Sequence, residues 1–276
     1  MKIIAAVALV ALLAGCRGVA VDTGVVVKPP APKTAPSFVQ AVSSSCNSGV
    51  NASACTTTLS IAITPQAKNA LLVPVWFSGP TNISVSVLDS KNDSFQPWAS
   101  IGQNTLADEP GFLFASTSVA GGSTTITVSF NCLGPQCAGQ NIAPNIALAG
   151  ALEYQGLGFD GTDASVTNSG SLSEQTQGQV IDSGPFVTSV KNELAFGMAV
   201  AQFGIQPGSG WTARLGCTPS STDPASGYFC FEEESAATPG AFDATFVTDF
   251  AASGGLGNPP TPAAPNAFGV AAISSY

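Results

Sequence analysis

The sequence predicts an all-β fold of about a dozen short antiparallel strands, arranged as a sandwich or jelly roll. Three observations carry this expectation. Val, Ile, Leu and Phe alternate with other residues over short runs, which is the period of a strand and not of a helix. Gly (29 residues) and Pro (20 residues), with Ser and Asn, interrupt those runs at short intervals. No stretch combines helical periodicity with helix caps.

The elements follow in chain order. Ser37–Ser44 and Thr56–Thr64 alternate on either side of a cysteine loop. Asn69-Ala-Leu-Leu-Val-Pro-Val-Trp-Phe77 is apolar from Ala70 onward and predicts a buried strand. Its Pro74 lacks an N–H, so a bulge or a sheet edge is expected there. Asn82–Asp89 alternates, and Asp89-Ser-Lys-Asn-Asp93 is a turn. Gly111–Val119 and Thr124–Phe130 flank Ala120-Gly-Gly-Ser123, which predicts a hairpin. Ile146–Tyr154, Gln179–Thr188 and Glu193–Gln202 follow, the last with Leu194, Phe196, Met198 and Val200 alternating with small residues. Trp211–Cys217, Tyr228–Ala236, Ala241–Asp249 and Ala267–Ser274 complete the set. The Gly/Pro stretch from Ala251 to Pro265 reads as an insertion before the last strand, not as a domain boundary.

Only 9% of residues are charged, against about 25% in typical soluble domains. From Ser37 onward the bases are Lys68, Lys91, Lys191 and Arg214, whereas every one of the 17 acids except Asp22 lies there. Such an acidic domain excludes nucleic acid as a partner, because phosphate binding needs basic patches. Histidine is absent, which removes the commonest general base and makes a Ser-His-Asp triad impossible. No cofactor-binding motif is present, and no catalytic activity is expected.

The amino-terminal stretch bears on compartment. Lys2 is followed by the apolar run Ile3–Ala14, shorter than the roughly 20 residues that a bilayer span needs but suited to a secretory leader. The run closes on Leu13-Ala14-Gly15-Cys16. These residues resemble the lipobox of bacterial lipoproteins. The resemblance implies cleavage before Cys16, acylation of that residue, and a membrane partner reached through its acyl chains. Two or more chains anchor stably where one is marginal. Arg17 rather than Asp follows the cysteine, which implies the outer membrane if the host is Gram-negative. The organisation expected is a leader over 1–15, a lipidated Pro-rich tether over 16–36 that favours polyproline II, and the β domain over 37–276.

Assigning Cys16 to lipid leaves six of seven cysteines. Their spacing suggests three local disulfides, Cys46–Cys55, Cys132–Cys137 and Cys217–Cys230, each around a turn-rich segment. No Cys-x-x-Cys occurs, so a metal site is the weaker reading. Several further runs, among them Val85-Ser-Val-Leu-Asp89-Ser-Lys-Asn92, Ser118–Phe130, Leu152-Glu-Tyr-Gln-Gly156 and Asn192-Glu-Leu-Ala-Phe-Gly197, resemble jelly-roll modules of exported proteins of environmental bacteria. That likeness implies a single β-sandwich of jelly-roll type for the β domain, and no catalytic residues.

Few residues suggest a site. Trp98 and Trp211 lie near loop ends, where an exposed indole would stack on a sugar, although packing at the core edge is the commoner fate of such a residue. Trp76 belongs to the core. Asp160-Gly-Thr-Asp163 offers oxygen ligands for calcium but lacks EF-hand spacing, and an Asx turn is the plainer reading. In Glu232-Glu233-Glu234 the outer two share a strand face and the middle one takes the other. The run reads as a charge-protected edge strand; a carboxylate-dependent glycoside hydrolase is the remote alternative. The function expected is a lipid-anchored envelope domain for binding or adhesion, with a glycan or an envelope protein as ligand. A structural component of an envelope complex is the second expectation.

Overall fold

The computed structural model describes residues 35–48, 55–79, 83–101, 109–133, 142–158, 165–172, 177–189, 191–201, 203–217, 228–249 and 267–275. These residues form strands and no helix, and every strand pairing is antiparallel. The first half runs through β1 (Ser37–Asn47), β2 (Thr58–Ile63), β3 (Ala70–Ser78), β4 (Ile83–Asp89), β5 (Gln96–Ile101), β6 (Gly111–Ser116), β7 (Thr124–Cys132) and β8 (Ile146–Gln155). The second runs through β9 (Ser165–Ser171), β10 (Val180–Asp182), β11 (Phe186–Thr188), β12 (Glu193–Ala201), β13 (Ile205–Pro207), β14 (Thr212–Leu215), β15 (Phe229–Ala236), β16 (Gly240–Phe242), β17 (Thr245–Thr248) and β18 (Ala267–Ser275).

The two halves repeat one topology. In the first, β1 pairs with β8, β2 with β7 and β3 with β6, nesting from the chain ends inward. This gives an inner sheet ordered β1-β8-β3-β6-β5 and an outer sheet ordered β2-β7-β4. In the second, the inner sheet is β9-β18-β12-β15-β14 and the outer layer is the sheet β10-β17-β13 with a separate pair, β11-β16, on the same core. One sandwich was expected; the chain folds as two of the same strand order. Periodicity reports which face of a strand is buried, and it is silent about which sheet that strand joins.

Three hydrophobic cores order the layers. Leu71, Val73, Val75 and Phe77 of β3 pack on β2, β4 and β7 in the first sandwich. Leu72 and Trp76, on the other face of β3, meet Leu194, Phe196, Met198 and Val200 of β12 in a central core that joins the two inner sheets. Ala195, Ala199 and Ala201 of β12 face the third core, against Ile205, Phe246 and Phe186 of the second outer layer. Both inner sheets are thus covered on both sides, which explains why β3 and β12 read as unbroken apolar runs. Each such Leu or Phe contributes about 1.5–3 kcal/mol on burial.

Pro74 stands in neither a bulge nor an edge. It lies inside the first inner sheet, and the β3–β8 register continues unchanged from Leu72↔Leu152 to Val75↔Ala149, with the ladder open at Val73 and Pro74. The missing N–H is absorbed by that gap. Opposite it lies Gly150, where a Cβ would come within 2.6 Å of Leu215 Cδ2 from the second sandwich. The two inner sheets therefore approach closely at this point.

The turn at Asp89 forms as expected. The buried Asp89 carboxylate accepts from the backbone N–H of Lys91 (3.2 Å) and Asp93 (2.8 Å) and from Thr124 Oγ1 (2.9 Å). Asn92 takes the left-handed backbone, φ 63°, that Asn tolerates. The segment Ala120–Ser123 is not a hairpin: β6 belongs to the inner sheet and β7 to the outer, so it arches between layers. Gly121 has φ 79°, and a Cβ there would lie 2.4 Å from the Ala67 backbone nitrogen. Gly121→Ala is expected to cost about 2–4 kcal/mol, the left-handed strain plus overpacking, read as a lower midpoint in urea unfolding.

The described residues form eighteen strands where about a dozen were expected: β5, β9 and β13 have no counterpart in the sequence expectation, and the segments 179–188 and 241–249 divide into β10 and β11 and into β16 and β17. β9, Ser-Val-Thr-Asn-Ser-Gly-Ser, has no apolar alternation to detect; backbone pairing to β18 holds it at the sheet edge. Two of the three expected disulfides are described, Cys46–Cys55 (Cα–Cα 5.1 Å) and Cys217–Cys230 (4.1 Å). Cys132 is also disulfide-bonded, and Cys137 lies outside the described residues.

Candidate functional site: the carboxylate strand and the seam between sandwiches

Of the residues singled out by sequence, Cys16, Asp160 and Asp163 lie outside the described residues. Among the described residues no group of three His, Cys, Asp or Glu side chains could hold a metal ion. Trp76 is buried in the central core, stacked on Tyr228 at 6.2 Å. Trp98 is half-buried at the rim of that core, its ring 6.2 Å from Phe196. Trp211 is only 9% exposed and belongs to the third core. The two candidate tryptophans therefore serve different cores.

The strongest concentration of chemistry is β15. Its alternation is as expected, but it is no edge: it lies between β12 and β14, with Glu232 and Glu233 buried and Glu234 half-buried. The expected charge-protected edge is replaced by carboxylates held inside the fold. An uncompensated buried charge is very costly, so a carboxyl held there must be paired, as Glu233 is, or keep its proton, as Glu232 does.

Glu233 points into the central core. Tyr154 of β8 donates its hydroxyl to Glu233 Oε2 at 2.5 Å, and Arg214 Nη2 donates to Oε1 in an ion pair. The Arg214 guanidinium also lies over the Phe38 ring, 3.9 Å from its centroid, and the Phe38 and Tyr154 rings meet edge to face at 5.7 Å. Phe38 and Tyr154 belong to the first sandwich, Glu233 and Arg214 to the second, so this group closes the seam between them. Burial first, and then the neighbouring Glu233 charge, push the Tyr154 hydroxyl well above its ordinary value. For Arg214 burial acts to lower the value, but the hydrogen bond and charge of Glu233 outweigh it and the net shift is upward. Both groups therefore keep their protons.

Two β-bulges aim side chains into this seam. Arg214 is the extra residue between the pairs Ala213↔Glu232 and Leu215↔Phe231. Trp98 is the extra residue between Pro97↔Phe114 and Ala99↔Leu113. Strands β5 and β14 occupy equivalent places in the two halves, so Trp98 and Arg214 are counterparts. A bulge redirects a side chain and here turns each one toward the central core. A third irregularity, between Phe38 and Gln40, lets β1 place Phe38 in the central core and Val42 in the first.

Glu232 faces the third core and is 0% exposed. The Gly208 N–H donates to its Oε2 at 3.1 Å, and its Oε1 is buried with no hydrogen-bond partner. Burial pushes this carboxyl up to about 9; Gly208 opposes the shift and Glu234 adds to it. Glu232 is thus a neutral acid at pH 7. A Cβ on Gly197, its partner across β12, would fall 2.8 Å from Oε1 and 2.9 Å from Ala244 Cβ, so only glycine leaves room. The counterpart of Glu232 in the first half is Phe114. Burial also raises the Glu234 carboxyl.

Glu153, likewise 0% exposed, is fully engaged. It accepts from Gln40 Nε2 (2.6 Å), the Gln66 N–H (2.7 Å) and Asn69 Nδ2 (2.6 Å), tying β1 to the turn before β3. The buried Glu193 accepts from the Ser189 N–H at 3.2 Å. Sequence reasoning singled out none of Glu153, Glu193, Tyr154 and Phe38. The available signal was an acid inside an apolar strand, as in Leu152-Glu153-Tyr154, and the scarcity of bases around Arg214. No protein-family model matches this chain, and neither does any curated protein or solved structure.

Proposed function

We propose that this chain is an exported, lipid-anchored envelope domain that works by binding or adhesion, its ligand a glycan or an envelope protein. The observation that carries this reading is where the charged groups go. Glu153, Glu232 and Glu233 are consumed inside the fold, bonded to Gln40, Gly208, Tyr154 and Arg214. Exposed strand positions such as Ser37, Ser43, Ser165 and Asn168 are hydroxyls and amides. Such a rim suits hydrogen bonding to neutral polyhydroxylated or peptide surfaces more than acid–base chemistry. The disulfides support an oxidising compartment outside the cytoplasm. The leader-like run ending in Cys16 supplies the anchor in this reading.

Each half has the nested strand pairing of a jelly roll, three of whose four nested pairs are present, with β5 or β14 moved onto the inner sheet. We read the domain as two tandem jelly-roll units. The test is direct. The full chain expressed in a bacterium should fractionate with membranes and carry acyl mass on Cys16, and Cys16→Ser should release it. Purified protein should bind members of a glycan array or cross-link to an envelope protein. Failure in both binding assays would refute the binding reading, whatever the fractionation shows.

A further inference from the structure

We infer that the Phe38–Tyr154–Glu233–Arg214 group is a mechanical clamp, which passes force on the amino-terminal side of the chain into both sandwiches at once. It rests on the anchored reading, since only an anchored domain bears load at that end. The placement argues for it. β1 is the first described strand, and Pro36 just before it is buried. Two residues later Phe38 is held between the Tyr154 ring at 5.7 Å and the Arg214 guanidinium at 3.9 Å. Arg214 is tied to Glu233, and Glu233 accepts from Tyr154, closing a ring of four contacts across the seam.

Without this group, β1 would be held chiefly by its ladder to β8, an edge strand that tension peels one pair at a time. Its pairs run from Ser37↔Gln155 to Asn47↔Ile146. The clamp sits at the pulled end of that ladder, where peeling starts. It also recruits β14 and β15, which are interlocked by the Cys217–Cys230 disulfide. The irregularity between Phe38 and Gln40 has a use in this account: it turns Phe38 toward the second sandwich while the rest of β1 keeps its place in the first.

The experiment is single-molecule pulling on the full chain in two geometries. One has handles at the two termini. The other has handles at the carboxyl terminus and at Val187, an exposed residue of the second outer layer. Arg214→Ala should shorten the lifetime of the folded state under fixed terminal load roughly tenfold, the change that loss of about 1.4 kcal/mol produces. The Val187 geometry, which feels only the stability lost with the unpaired Glu233, should show a shortening at least about threefold smaller. Phe38→Leu keeps apolar volume while removing the ring face, and should reproduce the effect if Arg214→Ala folds poorly. Equal lifetimes in wild type and both variants would overturn the clamp. So would the same shortening in both geometries, which would leave no effect specific to the pulled end beyond the stability lost with the unpaired Glu233. Release of Cys16→Ser from membranes tests the anchor separately, so the two ideas fail independently.

Discussion

Glu232→Gln should progressively gain stability over the wild type as pH rises from 5 to 8.5, by about 1.4 kcal/mol per unit. The sign follows from linkage. The folded carboxyl holds its proton up to about pH 9, whereas the ordinary value is 4.5. Between those values the folded state binds more protons than the unfolded state, so wild-type stability falls as pH rises. At pH 7 the accumulated cost is about 3 kcal/mol, and below about pH 4.5 it vanishes. Gln does not titrate and keeps an acceptor for the Gly208 N–H, so the variant lacks this slope. A constant offset remains, because the added amide N–H₂ inherits a buried position with no acceptor. Urea unfolding at pH 5, 7 and 8.5 with disulfides intact checks it. Parallel pH profiles for the two proteins would show that Glu232 is not the neutral acid described. The raised carboxyls of Glu234 and Asp243 add a slope of the same sign that both proteins share.

The seam group gives the second large effect. Arg214→Ala strips the counter-ion from a nearly buried Glu233 and should cost about 3 kcal/mol. Tyr154→Phe removes one hydrogen bond to a charged acceptor and should cost about 2 kcal/mol. The double change Arg214→Leu with Glu233→Leu should cost less than the sum of the single ones, because it leaves no unpaired charge in the central core. Urea midpoints in a double-mutant cycle read the coupling. Additive costs would mean that the ion pair is screened and contributes no more than a surface pair.

Much of the secondary structure was legible, and for a physical reason. The central strands of the inner sheets are mostly apolar or alternate large with small residues, so β3, β8 and β12 announce themselves. Cysteine pairing was legible where it is local, because Cys46–Cys55 and Cys217–Cys230 close short loops. Two edge strands were not: β9 leaves little apolar trace, and in β5 the bulge at Trp98 breaks the two-residue period that its core residues Trp98 and Ile101 would otherwise show. The candidate site was half legible. Two-residue periodicity places Glu232 and Glu233 on opposite faces, but both faces of β15 are covered, and the period cannot say so.

By itself the sequence determined the all-β class, the positions of the inner strands and the turn at Asp89, since each depends on residues close in the chain. The division of these strands into two sandwiches of one topology came from long-range pairing. That pairing also decided that Trp98 and Arg214 are counterparts, and that Glu232 is a sealed neutral acid where the first half has Phe114. Those outcomes depend on which distant strand lies alongside. Burial on both faces removes the polar alternation that would have marked one side as solvent, so the local pattern carries no record of the partner.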